Sequence, residues 1–279
     1  MQGRRANSLS TRVKRALLHV YASAYIGLKT YVRYPAWILS DVISTPIWII
    51  MLLLPILLFL PSEEWSDPTT YQYFYWGMVF WSVVSMAMWS IGMAIRWEQN
   101  LGTIEWLFLS NTNRVVLFAS RVINRIVDLT VSSLYMALLM YLMFNVPITV
   151  KNLPLLVIFM LLSMAVSLGI GAVYGAAILK LKEPGALSNV LQFVILGLSG
   201  IFFPIQRLPE FIRVVALLIP YTYCVDLVRF SAMGTPTLLP LHQEIALVVV
   251  LAVALNYAGV LALKIVERNM KRTGKLGAY

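Results

Sequence analysis

The residues of this chain that could do chemistry are few and scattered. His19 and His242 are its two histidines, and Cys224 is its single cysteine. One cysteine excludes a disulfide within the chain and a cysteine metal site. Neither an H-E-x-x-H nor a G-x-S-x-G run is present, so no nucleophile–base set or metal ligand set stands out. No G-x-x-x-x-G-K-[ST] loop occurs either. The late Gly274-Lys275 pair lacks the upstream glycine and the hydroxyl, so nothing here cradles the phosphates of ATP. What remains is a handful of polar residues in apolar surroundings. Asp226 and Arg229 stand three apart and could pair on one helical face; a structural role is favoured over substrate contact. Asp128 lies beside Asn124 and Arg125, and a local Arg125–Asp128 pair is the favoured account of it. Asp41, Gln192 and Asn256 complete the set.

The elements that carry these residues are membrane spans. Hydrophobic residues make up 60% of the 279 and charged residues only 12%, about half the usual share. The mean hydropathy is +0.79. A helix needs about 20 apolar residues to cross the hydrocarbon core, and six stretches qualify: 36–60, 73–95, 119–145, 153–179, a shorter one at 185–203, and 243–266. Pro46 and Pro55 fall inside the first and predict a kink or a locally broken ladder there. The expected fold is an all-α integral membrane protein with six transmembrane helices.

Basic residues orient the spans. With the N-terminus cytoplasmic, most of the 22 fall on the inner side, leaving Lys151, Arg207, Arg213 and Arg229 outside. The first outer loop, "PSEEWSDPTT", has acids and no base, and an even span count puts both termini inside. The net charge of +10 is thus a topology signal, and its scatter over every inner segment argues against nucleic acid. No cleavable signal peptide is expected, because the first apolar span starts late and is long. The expected domains are a tail and helix over 1–35, one membrane domain over 36–266, and a cytoplasmic tail over 267–279. Within 9–33, Leu9, Val13, Leu17, Tyr21, Ala24, Leu28 and Tyr31 recur at helical steps with bases between them. An amphipathic helix in the inner interface against membrane lipid is favoured over a cytoplasmic helix packed on protein. The fourth span carries Gly169, Gly171 and Gly175; Gly171 and Gly175 stand in GxxxG register, and small residues so spaced predict close helix packing.

Two segments are neither spans nor simple loops. Residues 96–118 hold a short amphipathic piece from about Leu101 to Leu109, opened by Gly102 and ended by Ser110-Asn111-Thr112-Asn113. Ile104, Leu107 and Phe108 could dock on something while Glu98 and Glu105 stay polar. It reads either as a connector on the membrane or as a docking element for a soluble partner. Residues 204–240 contain Pro204, Pro209, Pro220, Pro236 and Pro240. They are too broken for a spanning helix and too apolar for a solvated loop, which predicts short helices that dip into the outer leaflet and return.

Both segments resemble one family, the ABC-2 type transporter permeases. "GLSGIFFPIQRLPEFIRVVALLIPYTYCVDLVRFSAMG" is similar to that family's signature region, with Pro220, Tyr223, Asp226 and Arg229 in its "P-x-x-Y…D-x-x-R" places. "LGTIEWLFLSNTNRVVLFASRVI" resembles the family's segment between spans two and three. Gly102, Thr103 and Glu105 match, while Asn111-Thr112-Asn113-Arg114 stands where a proline-containing turn is common. The resemblance runs from about residue 20 onward. It implies a subunit that pairs with a second permease copy or homologue and with two cytoplasmic ATPase subunits. The chain itself would bind no cofactor; ATP and magnesium would sit in the partner. It also implies a cytoplasmic coupling helix between spans two and three, carried by Glu98, Gly102, Thr103, Glu105, Trp106 and Leu109. Re-entrant helices between spans five and six would form a gate at Pro204, Pro209, Pro220, Tyr223, Asp226 and Arg229. A membrane half without its ATPase domain further suggests a prokaryotic operon product.

Three functions compete. An ABC exporter subunit fits the missing phosphate loop. An ion-coupled secondary transporter would need ionisable groups at mid-membrane depth, where these spans are nearly bare. An intramembrane enzyme lacks its reacting groups. Trp48, Trp81, Gln192 and Phe193 are candidates for the translocation pathway, and the apolar walls favour a lipid or hydrophobic drug-like substrate. Because aromatic rings also stack on sugars, a polysaccharide or lipid-linked glycan stays open.

Overall fold

The computed structural model describes Leu18, Tyr25, Lys29, Arg33 and residues 35–61, 65–91, 114–181 and 184–273. The apolar stretches expected to span are helical over most of their described length, except that the fifth is helical only to Leu198. In chain order the helices are α1 (Pro35–Phe59), α2 (Pro68–Met86, continued by a π turn at Ala87–Ile91), α3 (Arg114–Phe144), α4 (Leu153–Leu181), α5 (Pro184–Leu198), α6 (Glu210–Ala216), α7 (Pro220–Met233) and α8 (Leu241–Thr273). A 3₁₀ turn at Ile205–Arg207 precedes α6. Among the described residues, four helices contain segments long and apolar enough to cross a bilayer: Leu39–Phe59, Ile126–Phe144, Leu153–Ile178 and Leu241–Val266. The helix at the second expected span begins with the polar run Thr69-Thr70-Tyr71-Gln72-Tyr73, and α5 contributes only the shorter apolar stretch Ser188–Leu198. Helix α5 stops at Leu198, earlier than expected, because Ser199 and a left-handed Gly200 (φ 70°) turn the chain away.

The described chain divides into two units. The first holds α1 and α3 as far as Leu139. Helix α1 runs through both of its prolines without a break. Pro46 has no N–H, so the carbonyl of Val42 loses its usual helical donor. The Tyr135 hydroxyl on α3 donates to that carbonyl at 2.9 Å. A neighbouring side chain thus satisfies what the proline frees, which is how a membrane helix tolerates proline. At Leu18, Tyr25, Lys29 and Arg33 the N-terminal stretch is helical and exposed, with Lys29 Nζ 5.8 Å from the Tyr25 ring centre. The rest of 9–33 lies outside the described residues.

In the second unit α4 is the central element, packed on α8, on α7 and on the π turn of α2. Close approach of α4 and α8 is made possible by Gly169 and Gly259. A Cβ on Gly169 would fall 2.7 Å from the backbone N of Asn256, and one on Gly259 would fall 2.6 Å from Ala172 Cβ. The expected small-residue contact is therefore present at Gly169, in the same helix as Gly171 and Gly175. Asn256 seals the crossing by donating to the carbonyl of Ala165 on α4 at 2.7 Å. At one end of this unit Ala87, Met88, Tyr174 and Ile178 form a buried cluster with Trp89, Ile170 and Leu191 packed against it. At the other end Phe74 stacks on Phe202, and Phe80 meets Tyr221 edge-on.

Candidate functional site

The best-formed polar constellation is built around α7. Four of the five prolines of 204–240 stand at the start of an element, because a residue with no N–H costs least where no helical acceptor awaits it, while Pro236 lies within the irregular 234–240 segment. Pro204 precedes the 3₁₀ turn, Pro209 caps α6, and Pro220 is the first residue of α7. The Pro240 carbonyl accepts the first N–H groups of α8, from Gln243 and Glu244. Between α6 and α7 the chain bends by 87°. That break leaves the last carbonyls of α6 without helical donors. Side chains of α7 reach back to them: Thr222 Oγ1 donates to Ala216 O at 2.6 Å, and the Tyr223 hydroxyl to Leu217 O at 2.8 Å. Gly234 ends α7 in the left-handed conformation, φ 75°.

Asp226 and Arg229 do not spend themselves on each other, contrary to the expected pairing. Arg229 is 2% exposed. Its guanidinium donates to Gly200 O at 2.6 Å, to Ile201 O, and more weakly to Tyr73 O at 3.4 Å. It also lies 3.4 Å from the centre of the Tyr73 ring, so π density helps offset the loss of water around the cation. Asp226 Oδ2 instead accepts the backbone N–H of Leu238 at 2.7 Å. The reason is geometric. Residues 199–203 make a turn whose carbonyls have no ladder, and the planar donor fork of Arg229 reaches two adjacent carbonyls there at once.

The four motif positions therefore fasten one helix to four places. Pro220 sets its start, Tyr223 holds α6, Asp226 holds the 234–240 strap, and Arg229 holds the 199–203 turn and α2. Sequence reasoning missed Gly77 and Glu244, and it read Tyr73 as part of an aromatic belt without linking it to Arg229. Gly77 admits the turn against α2: a Cβ there would lie 2.2 Å from Ile201 O. Glu244 is fully buried and accepts the Leu239 N–H at 3.1 Å through Oε2. Its place in the first turn of α8, where acids favour the helix dipole, was a readable signal.

Of the pathway candidates, Gln192 is engaged by protein. It accepts from Trp89 Nε1 and donates to Ser85 Oγ, both at 2.8 Å, and so ties α5 to α2. The neighbouring Phe193 is 70% exposed, Trp81 is half-buried, and Trp48, on α1, is 52% exposed. Glu98, Gly102, Thr103, Glu105, Trp106 and Leu109 lie outside the described residues, and of 96–118 only the helical course of 114–118 is described. Among the described residues no group of three or more His, Cys, Asp or Glu is placed to hold a metal ion. The arrangement around α7 fastens backbone to backbone, which suits a mechanical part.

The sequence over residues 19–233 matches the family model described as ABC-2 type transporter. The chain belongs to the ABC-2 type transporter family. No curated protein matches it. The match takes in α1 through α7 and ends at Met233, the last residue of the helix that carries the motif. An ABC-2 chain with several bilayer-length apolar helices is a multi-pass membrane protein, the permease subunit of an ABC transporter. The family works with ABC ATPases and as oligomers in general.

Proposed function

We propose that this ABC-2 chain is the permease subunit of an ATP-driven exporter that moves a lipid or a hydrophobic drug-like molecule. It crosses the membrane six times with both termini cytoplasmic. It pairs with a second copy or a homologue to form the translocation pathway, and two ATPase subunits supply ATP and magnesium chemistry. Residues 1–35 and 267–279 are the cytoplasmic tails of the membrane domain 36–266. The single observation that carries this reading is the family match, which includes both the 96–118 segment and the α6–α7 motif. The 87° bend between two short apolar helices supports a re-entrant gate over 204–240. The exposed apolar side chains of Trp48 and Phe193 support a hydrophobic substrate. Family membership favours ATP over an ion gradient as the source of energy.

In this reading Glu98, Gly102, Thr103, Glu105, Trp106 and Leu109 form the coupling contact with the ATPase. Reversing one charge there should cost coupling and not folding. In the reconstituted complex, Glu105→Lys is expected to leave ATP hydrolysis and the thermal unfolding of the membrane subunit intact. Transport per ATP should fall by about tenfold, within the usual range of coupling free energies. Normal transport by that variant would show that the docking assignment is wrong.

A further inference from the structure

We propose that the π turn of α2 is a register switch and that Gln192 on α5 is the latch that holds it, an inference that rests on the permease reading above. Over Ala87–Ile91 the helix bonds i→i+5 in place of i→i+4, and so carries one residue more than an α turn would. Such turns are rare, and inside α-helices they gather at functional sites. Here the turn serves two neighbours at once. Ala87 and Met88 are buried with Tyr174 and Ile178 of α4, while Trp89 reaches α5. The Gln192 amide meets both sides of the junction between α and π geometry. Its Oε1 accepts from Trp89 Nε1, inside the π turn, and its Nε2 donates to Ser85 Oγ, in the α-helical part before it, both at 2.8 Å. An indole only donates, so the carbonyl end of the amide must face the π turn.

The extra residue can shift along the helix. A shift by one position turns each side chain it passes by about 100° around the axis. Trp89 then leaves Gln192, while Ser85, on the other side of the junction, stays. The register therefore cannot change without breaking the latch. Helix α5 is placed to feel that break. One turn before Gln192, on the same face, Ser188 shares a hydrogen bond with Tyr174 of α4. The opposite face of α5, with Val190, Phe193 and Val194, is exposed. At its far end α5 runs into the 199–203 turn that Arg229 of α7 holds. The π turn, for its part, is the last described stretch of α2 before 96–118. Latched, α2 and α5 move as one; unlatched, α2 re-registers by a residue against α5. Gln192 is thus a positioning residue between the proposed ATPase contact and the α6–α7 element.

The test uses the full chain in lipid nanodiscs, and its first arm needs no ATPase. Hydrogen exchange is followed over residues 85–91. Gln192→Leu removes both bonds of the latch and should speed exchange there by about tenfold, the measure of one net hydrogen bond, with 70–80 unchanged. Deleting Ser90 removes the extra residue and leaves a plain α-helix with its flanks in register. In that background Gln192→Leu should not alter exchange, because nothing is left to shift; a merely structural tie would show the loss in both backgrounds. Trp89→Phe removes only the indole N–H and should give a smaller change in the same direction, and it decides the matter if Gln192→Leu fails to fold. The second arm adds the cognate ABC ATPase and a fluorescent phospholipid. The Ser90 deletion should still support ATP hydrolysis, while lipid moved per ATP should fall by about tenfold or more. Unchanged exchange in Gln192→Leu, a loss that persists once Ser90 is deleted, or full coupling in the deletion variant would each overturn the switch. A wild type that moves nothing with ATP would instead strike the permease reading and leave the exchange arm to decide the switch.

Discussion

Replacing Arg229 with methionine is expected to destabilise the chain by about 2–3 kcal/mol and to release the 199–203 turn. Two effects oppose each other. Removing a buried cation relieves the several kcal/mol of solvation it gave up on burial. Against that, the Gly200 and Ile201 carbonyls lose their donors in a place without water, at about 1–3 kcal/mol for each group left unmade. The contact with the Tyr73 ring, 3.4 Å away, is lost as well. The second set of terms wins because Arg229 already has compensation for its burial, whereas a thioether offers the carbonyls nothing. Arg229→Lys separates charge from geometry. An ammonium keeps the charge but lacks the planar fork, so it should recover only part of the stability. Thermal unfolding in detergent reads the stability, and hydrogen exchange over 199–203 reads the local release. A methionine variant as stable as the wild type, with that turn still protected, would refute this account of the arginine.

The second large effect is expected at Gly77. Alanine is normally the better helix residue by about 1 kcal/mol, so the swap would help in open space. Here the added Cβ would sit 2.2 Å from Ile201 O, 3.1 Å from Phe202 Cδ1 and 3.2 Å from Ile201 C. Two of those atoms are backbone and belong to the turn that Arg229 holds, so they cannot swing aside. Helix α2 and the 200–202 segment must separate, and the cost should approach about 3 kcal/mol, the upper end for overpacking. Gly197 is the control. A Cβ there meets nothing within 4 Å, so Gly197→Ala should leave stability unchanged or raise it by up to about 1 kcal/mol. Equal effects at the two glycines would mean that helix propensity, not the close approach, governs Gly77.

These two residues show where a sequence stops being readable. Four of the expected spans could be read because lipid imposes length and apolarity on each one separately. Prolines could be read because a missing N–H acts on the residue's own helix, and four of the five in 204–240 fall at element starts. The proline inside α1 was legible as a problem, but its solution by Tyr135 came from a residue far along the chain. The same holds for Arg229. Its spacing from Asp226 suggested a local pair, while its carbonyl acceptors lie in a turn that only folding brings near. That Gly169 is pressed against α8 was not legible, because spacing does not report which side of α4 faces α8. Glu244 was missed for a related reason: a single acid at a helix start looks ordinary until the Leu239 amide it accepts is known. For the coupling residues, Glu98 through Leu109, the family resemblance speaks and the described structure does not reach.

The most direct test of the account asks where the energy for transport comes from. The purified chain is reconstituted in proteoliposomes with and without a cognate ABC ATPase, and movement of a fluorescent phospholipid between leaflets is followed. The account predicts movement only when both the ATPase and ATP are present, undiminished after ion gradients are collapsed. Movement driven by an ion gradient through the purified chain alone would contradict it.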